Sequence, residues 1–263
     1  MSSMERLYQD KEWLYRMYRV KMLSTYQIAK KIGINSVSIQ YWLRKLNIPI
    51  RSHSEANHLA QANHCDLTQE ATEWLSGELL GDGCLKSQSS FSTNFSYSSK
   101  YPEYAQYISD TLKSFGIEQA GKIRERYYKN MNCYTYNYKS RCYEELLSIK
   151  KRWYPEGRKI VPKDIKLTPL TLRQFYIGDG SLICPKDSKP YIVLYTYGFT
   201  VFDVNWLVNE LNRLGFKTTR WNASNTIHIS TYSTKDFLDY IGNCPVRCYS
   251  YKWNYQRDGM KKV

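Results

Sequence analysis

The chain has 263 residues, with 38 Lys and Arg against 24 Asp and Glu for a formal charge of +14, and 15% of it is aromatic, led by 25 tyrosines. Such a balance favours polyanionic partners and salt-sensitive binding, and tyrosines add stacking surfaces and hydroxyls for phosphate contacts. An apolar run long enough to cross a bilayer, a secretory segment and a disulfide framework among the seven cysteines are all missing from the sequence, so we expect a soluble, intracellular protein of the cytoplasm or an organelle matrix.

Residues 1–50 hold nine Lys and Arg against three Asp and Glu, and three helices are predicted there over roughly 10–22, 25–32 and 36–46. Ser24 followed by Gln27 is a capping-box signature, and Asn35 or Ser36 can cap the third helix. Ala29 is small where helices would cross, and Gly33 supplies a tight turn. The stretch resembles a helix-turn-helix DNA-binding domain, whose third helix would offer Ser36, Ser38, Gln40, Tyr41, Arg44 and Lys45 to a groove or its phosphates. A small helical bundle that merely packs on the rest is the alternative. Residues 51–70 read as a polar linker, because Arg51 to Leu67 shows no clear apolar periodicity. His53, His58, His64 and Cys65 lie there without a closely spaced Cys pair, so no zinc site is expected.

Two related segments follow, Leu75-Ser-Gly-Glu-Leu-Leu-Gly-Asp82-Gly83 and Leu172-Arg-Gln-Phe-Tyr-Ile-Gly-Asp179-Gly180. Each reads as an apolar helix that delivers one Asp to its end, with a Gly beyond that would close the helix in the left-handed conformation. A carboxylate there faces the negative pole of the helix dipole, which is unfavourable unless something positive compensates, and two of them suggest a metal.

The segments after each copy also correspond. Strand-like Phe91 to Tyr97 and a helix from Tyr101 to near Gly116 follow Asp82; strand-like Tyr191 to Gly198 and a helix from Phe202 to near Gly215 follow Asp179. Further strands (Tyr134 to Lys139; Thr226 to Ser230) and short helices (Tyr143 to Ile149; Lys235 to Ile241) complete each half. The fold class is therefore α+β, one αββαββα unit used twice, over 71–165 and 166–263. Alternation puts Phe91, Thr93, Phe95 and Tyr97 on one face and Ser92, Asn94 and Ser96 on the other, while Ile227 and Ile229 oppose His228 and Ser230. Tyr134, Tyr136 and Tyr138 share a face that periodicity alone assigns neither to core nor to partner.

These residues resemble the LAGLIDADG homing endonucleases in their single-chain, two-motif form. The first copy matches at Leu75, Gly77, Gly81, Asp82 and Gly83, with Ser76 in a small-residue position; the second keeps Leu172, Gly178, Asp179 and Gly180. Gln174 stands where the pattern has its first Gly, a bulky polar side chain that bears on how tightly the helices pair. Arg158-Lys159-Ile-Val-Pro162, Leu167 to Leu172 and Tyr251-Lys252-Trp253 look like landmarks of the intron-encoded members, and the resemblance covers about residues 70 to 255. The chain begins with Met and ends in Val, so an intein is not expected.

The resemblance implies two motif helices side by side at the centre of a pseudo-twofold molecule, their small residues letting backbones approach. Asp82 and Asp179, with Gly81 and Gly178 beside them, would hold Mg²⁺, with Mn²⁺ able to substitute and Ca²⁺ supporting binding without cleavage. Lys159 and Lys252 are the positions to carry over as the basic residue near each acid, and aromatic neighbours would depress the Lys252 pKa. A saddle of sheets would lie in the major groove of duplex DNA, with Ser92, Asn94, Ser96, Lys139, His228 and Ser230 as candidate contacts. The expected activity is site-specific, metal-dependent double-strand cleavage by a monomer at a long site, with short 3′ overhangs and no small-molecule cofactor or membrane. A non-cleaving DNA-binding regulator and an intron RNA maturase are the alternatives.

Overall fold

A computed structural model describes residues 7–61, 63–87 and 89–255, so the first six residues of the expected N-terminal domain and the last eight of the second repeat lie outside it. The chain divides into two compact units, Met1–Ala62 and Asn63–Val263. Among the described residues no helix is long and apolar enough to cross a membrane.

The first unit is helical. Its α1 (Lys11–Tyr15) continues into a π-helical turn (Arg16–Val20), followed by α2 (Thr25–Ile32) and α3 (Ser36–Lys45). Ser24 and Gln27 form the reciprocal capping box, and Asn35 accepts from the Val37 amide to start α3. Gly33 ends α2 at φ 72°, a left-handed position that a β-carbon would strain. Leu14, Tyr18, Ile28, Ala29, Ile39, Leu43 and Ile48 pack into a separate small core.

The expected linker departs from the sequence reading, because it contains α4 (His53–Gln61). This helix has no apolar stripe to betray it. It is held at its start by Ser52 Oγ accepting from the Glu55 amide at 3.1 Å, and by a Glu55–Arg19 ion pair at 2.9 Å. Just before it, Arg51 is buried: its amide donates to the Tyr18 hydroxyl, and its guanidinium lies 4.0 Å from the Tyr18 ring centroid while donating to the Leu23 and Tyr18 carbonyls.

In the second unit one order of elements occurs twice. The first repeat runs α5 (Gln69–Leu80), β1 (Cys84–Ser87), β2 (Thr93–Ser99), α6 (Pro102–Ser114), β3 (Arg124–Tyr128), β4 (Cys133–Lys139) and α7 (Glu145–Trp153). The second runs α8 (Pro169–Asp179), β5 (Gly180–Ile183), β6 (Tyr191–Leu194), α9 (Val201–Arg213), β7 (Thr218–Trp221), β8 (Thr226–Ile229) and α10 (Thr234–Ile241). Each repeat builds a four-stranded antiparallel sheet, β1-β2-β4-β3 and β5-β6-β8-β7. The expected mixed fold with two αββαββα repeats is thus observed. One apolar core runs through both, from Trp74, Phe95, Tyr104 and Trp153 to Phe175, Leu207 and Phe237.

The central helices α5 and α8 are buried on nearly every side, which is why their sequences lack an amphipathic stripe. They pack backbone against backbone: a β-carbon on Gly77 would stand 2.4 Å from the Thr171 carbonyl oxygen and 2.7 Å from Gln174 Cβ. Gln174 therefore does not loosen the pair, since Gly77 makes room for it. The glycines after the acids also serve a purpose other than the one expected. Gly180 is extended (φ −101°), and Gly83 is not among the positive-φ residues. A β-carbon on Gly180 would meet the Tyr176 ring, and one on Gly83 would stand 2.7 Å from the Glu78 carbonyl oxygen, so close approach and not left-handedness demands Gly.

Two faces need correction. Asn94 sits on the expected polar face of β2 yet is buried, and Ser92 precedes the strand. The three β4 tyrosines grade from Tyr138, 1% exposed in the core, to Tyr134, 52% exposed.

Gly77→Ala is expected to destabilise the second unit by about 1–3 kcal/mol through overpacking. Adding Gln174→Gly should not restore stability, because the Thr171 carbonyl is the nearer obstacle. Chemical denaturation of the single and double variants measures both.

Candidate active site

The acids are brought together by the ends of α5 and α8. A β-carbon on Gly178 would lie 3.3 Å from both the Asp82 amide nitrogen and Gly81 Cα, so the two chain segments carrying the acids touch. Asp82 is exposed and accepts from the Tyr97 hydroxyl at 3.3 Å. Asp179 is partly buried, and that burial, together with the negative charge of Asp82, pushes its pKa up to about 7 against the pull of Lys159 and Lys252.

Both predicted lysines reach this point. Lys159 follows α7 and donates from Nζ to the Gly81 and Gly83 carbonyls at 3.0 and 3.1 Å. Lys252 comes from a 3-10 turn (Arg247–Trp253) and donates to the Ile177 and Tyr176 carbonyls at 2.6 and 3.3 Å. The Tyr176 hydroxyl donates back to the Lys252 carbonyl at 2.6 Å, which locks the turn to the helix. Burial lowers both ammonium pKa values, that of Lys252 to about 8, and the two aspartates partly offset it. Each lysine thus bonds carbonyls at or just past a helix C-terminus and puts a positive charge at its negative pole, an arrangement worth about 0.3–1 kcal/mol apiece. This supplies the compensation that an Asp at a helix C-terminus calls for.

The donor set suits a hard divalent cation. Among the described residues no group of three or more His, Cys, Asp and Glu could hold a metal. A cation here would use the two carboxylates and the Gly81 and Gly178 carbonyls, with water or phosphate oxygens completing its shell, the pattern in which Mg²⁺ is commonly held. The elevated Asp179 pKa comes first from its burial, to which the negative charge of Asp82 adds. The seven cysteines are free, and His64 is engaged with Glu145 at 2.9 Å.

An open groove of about 590 Å³ leads from Asp82 across the first sheet, past Lys86, Ser96, Lys122, Arg124 and Lys139. Lys86, Lys122 and Arg124 did not figure among the sequence candidates, although Lys86 alternates with buried Leu85 and the exposed Lys122 and Arg124 flank half-buried Ile123. Of the candidates, Ser96 and Lys139 line this groove. Buried Asn94 also borders it, but its side chain donates to the Lys86 carbonyl at 2.7 Å. Ser92 is half-buried beside Ser89, and Ser230 Oγ is buried without a partner, so neither presents a free polar group. His228 is stacked on Trp221. On α3, Gln40, Arg44 and Lys45 are exposed, whereas Ser36 and Ser38 are half-buried.

A buried polar network also went unforeseen. Glu78, 1% exposed inside α5, accepts from the Tyr104 hydroxyl at 2.6 Å, and Gln174 donates to the Tyr107 hydroxyl at 3.0 Å. Gln174 Oε1 lies 3.4 Å from the Tyr104 hydroxyl, joining the two motif helices through α6. Burial, reinforced by Asp82, pushes the Glu78 pKa up to about 8, and the bond from Tyr104 works against it.

Residues 72–237 match the LAGLIDADG DNA endonuclease family. Uncharacterized protein MJ1098 of Methanocaldococcus jannaschii is 24% identical over 266 residues, spanning 91% of this chain and 97% of that protein. Cytochrome b mRNA maturase bI2 of Debaryomyces hansenii is 23% identical over 205 residues, 72% of this chain and 70% of the maturase. The homing endonuclease I-WcaI bound to its DNA recognition sequence has a similar fold, with a TM-score of 0.63 at 18% identity over 81% of this chain and 98% of its own.

Glu78 makes the site's cost to folding measurable. Its pKa is raised on folding, so its contribution to stability is complete below about pH 4.5 and is lost as the pH climbs towards about 8. Melting curves in chelator should show Glu78→Gln equal to the parent in acid and several degrees more stable above about pH 8. A constant difference across that range would contradict a raised pKa.

Proposed function

Because the chain belongs to the LAGLIDADG DNA endonuclease family, we propose that it is a monomeric, site-specific endonuclease that hydrolyses both strands of duplex DNA with Mg²⁺. The observation that carries this reading is the meeting of Asp82 and Asp179 at two touching helix ends, each with its own lysine, beside a basic groove. A divalent cation held there supplies Lewis-acid activation of water and neutralises charge on the phosphodiester. The chain's own residues prepare that point. Asp82 and Asp179 provide oxygen donors, Gly81 and Gly178 keep the acids adjacent, and Lys159 and Lys252 place positive charge where the phosphate's charge grows.

Lys86, Lys122, Arg124 and Lys139 supply phosphate and base-edge donors along the first sheet, a groove of the sign expected for DNA. The exposed Gln40, Arg44 and Lys45 of α3 support the reading that the N-terminal unit acts as a helix-turn-helix that lengthens the bound site. The relationship to a maturase favours one second reading, assistance to RNA splicing, which the same fold could perform beside cleavage.

Asp82→Asn and Asp179→Asn are each expected to abolish Mg²⁺-dependent cleavage while retaining duplex binding in Ca²⁺. Sequencing new DNA ends and titrating binding would test this, and cleavage surviving in either variant would overturn the assignment. Arg44→Ala with Lys45→Ala should weaken binding several-fold and reduce the slope of log affinity against log salt by about one for each phosphate left without its cation. Unchanged affinity and slope would remove the N-terminal unit from the DNA interface.

A further inference from the structure

The two sheets share a ladder but not a chemistry. The Cys84↔Ser96 pair corresponds to Ser181↔Val193, and Lys86↔Asn94 to Ile183↔Tyr191. One strand further, Ser96↔Lys139 corresponds to Val193↔His228, and at the outer strand Arg124↔Asn137 corresponds to Trp221↔Thr226. Position for position, Lys86 becomes Ile183, Asn94 becomes Tyr191, Ser96 becomes Val193, Lys139 becomes His228 and Arg124 becomes Trp221. At none of these places does the second lobe keep a Lys or an Arg.

The replacements form one assembled surface. Trp221 lies flat on His228, with centroids 4.8 Å apart and planes 14° from parallel. Tyr191 closes on His228 at 4.5 Å and on Trp221 at 6.3 Å. Trp221 is still 45% exposed, so this slab is not a piece of core. Burial depresses the His228 pKa, which keeps the ring neutral at physiological pH and poorly suited to phosphate. Exposed Lys186 and Lys189, in the β5–β6 connection, keep cations near this sheet.

An aromatic and aliphatic surface cannot offer charged donors of the kind that guanine O6 and N7 accept. The apolar feature that the major groove does display is the C5-methyl group of thymine. Resting on the duplex-DNA reading above, we propose that the second lobe reads its half of the target through thymine methyl groups packed on Trp221, His228 and Tyr191. The two half-sites then differ in the chemistry by which they are read.

The test uses the full-length protein in Ca²⁺. Duplexes are selected from a randomised library, and the selected duplex is resynthesised with deoxyuridine for thymidine in one half at a time. Uracil keeps every hydrogen-bonding group of thymine and lacks only the methyl. Substitution in one half should weaken binding about fourfold per buried methyl, and substitution in the other should have no effect. Trp221→Ala should erase that difference, whereas Lys139→Ala should weaken binding and preserve it. Trp221→Arg, which installs the first lobe's residue, should shift selection from thymine towards guanine at one position. Equal binding of uracil and thymine duplexes by the parent protein overturns the inference whatever the variants do, as does a difference that survives in folded Trp221→Ala. If no sequence is enriched at all, the duplex reading itself falls and takes this inference with it.

Discussion

Contact between the backbones of α5 and α8 is the constraint on which the rest of the second unit depends. Gly77 has no space for a β-carbon beside Thr171 and Gln174, and a β-carbon on Gly178 would stand 3.3 Å from Gly81 Cα and from the Asp82 amide nitrogen. That contact sets the two acids side by side. Because β1 and β5 start directly after them, it also fixes where both sheets begin. Helices packed this tightly are enclosed, so polar groups on them must find partners inside the protein. Thr171 donates to the Glu73 carbonyl at 3.1 Å, Thr168 to Glu73 Oε2 at 2.9 Å, and Glu78 and Gln174 meet the α6 tyrosines. The small residue that permits the contact and the polar network that tolerates it belong to one solution.

The electrostatics follow from the same geometry. Two carboxylates at helix C-termini oppose both helix dipoles and each other. The chain answers with lysines that arrive from the end of each repeat, Lys159 after α7 and Lys252 after α10. Each closes its repeat onto its own motif helix by capping carbonyls. Charge compensation and chain closure are therefore one set of bonds, and each lysine is spent on backbone oxygens before any substrate arrives.

Much of this was legible because its signals are local or repeated. The paired Gly-Asp-Gly segments, the matched spacing after them and the alternating strands gave the element order, and Ser24 with Gln27 marked the start of α2. What escaped depends on tertiary context. The helix over His53–Gln61 is polar and held by a cap and an ion pair, so no periodicity revealed it. Asn94 and Ser230 alternate as polar-face residues should, yet strand ends and a neighbouring carbonyl draw their side chains inward. Glu78 lies inside the recognised motif, but only the packing of α6 shows that a carboxyl there is enclosed. The reason for Gly83 and Gly180 was also hidden, since sequence cannot distinguish a left-handed turn from a backbone crowded by a ring.

Duplication preserved the backbone more strictly than the side chains around it. By strand register Tyr97, which donates to Asp82, corresponds to Leu194, so no phenol reaches Asp179 from the matching strand position. Asp82 is left exposed, while Asp179 is partly enclosed and has its pKa raised to about 7. Lys159 grips the carbonyls flanking Asp82, whereas Lys252 grips carbonyls before Gly178. The helix contact tolerates none of this freedom, because a single added carbon at Gly77 collides with a main-chain oxygen that cannot move without its helix. Side chains that look outward from the contact meet no such obstacle. Divergence therefore collects on the sheet faces and around the acids, where two copies of one fold can come to treat two halves of a ligand differently.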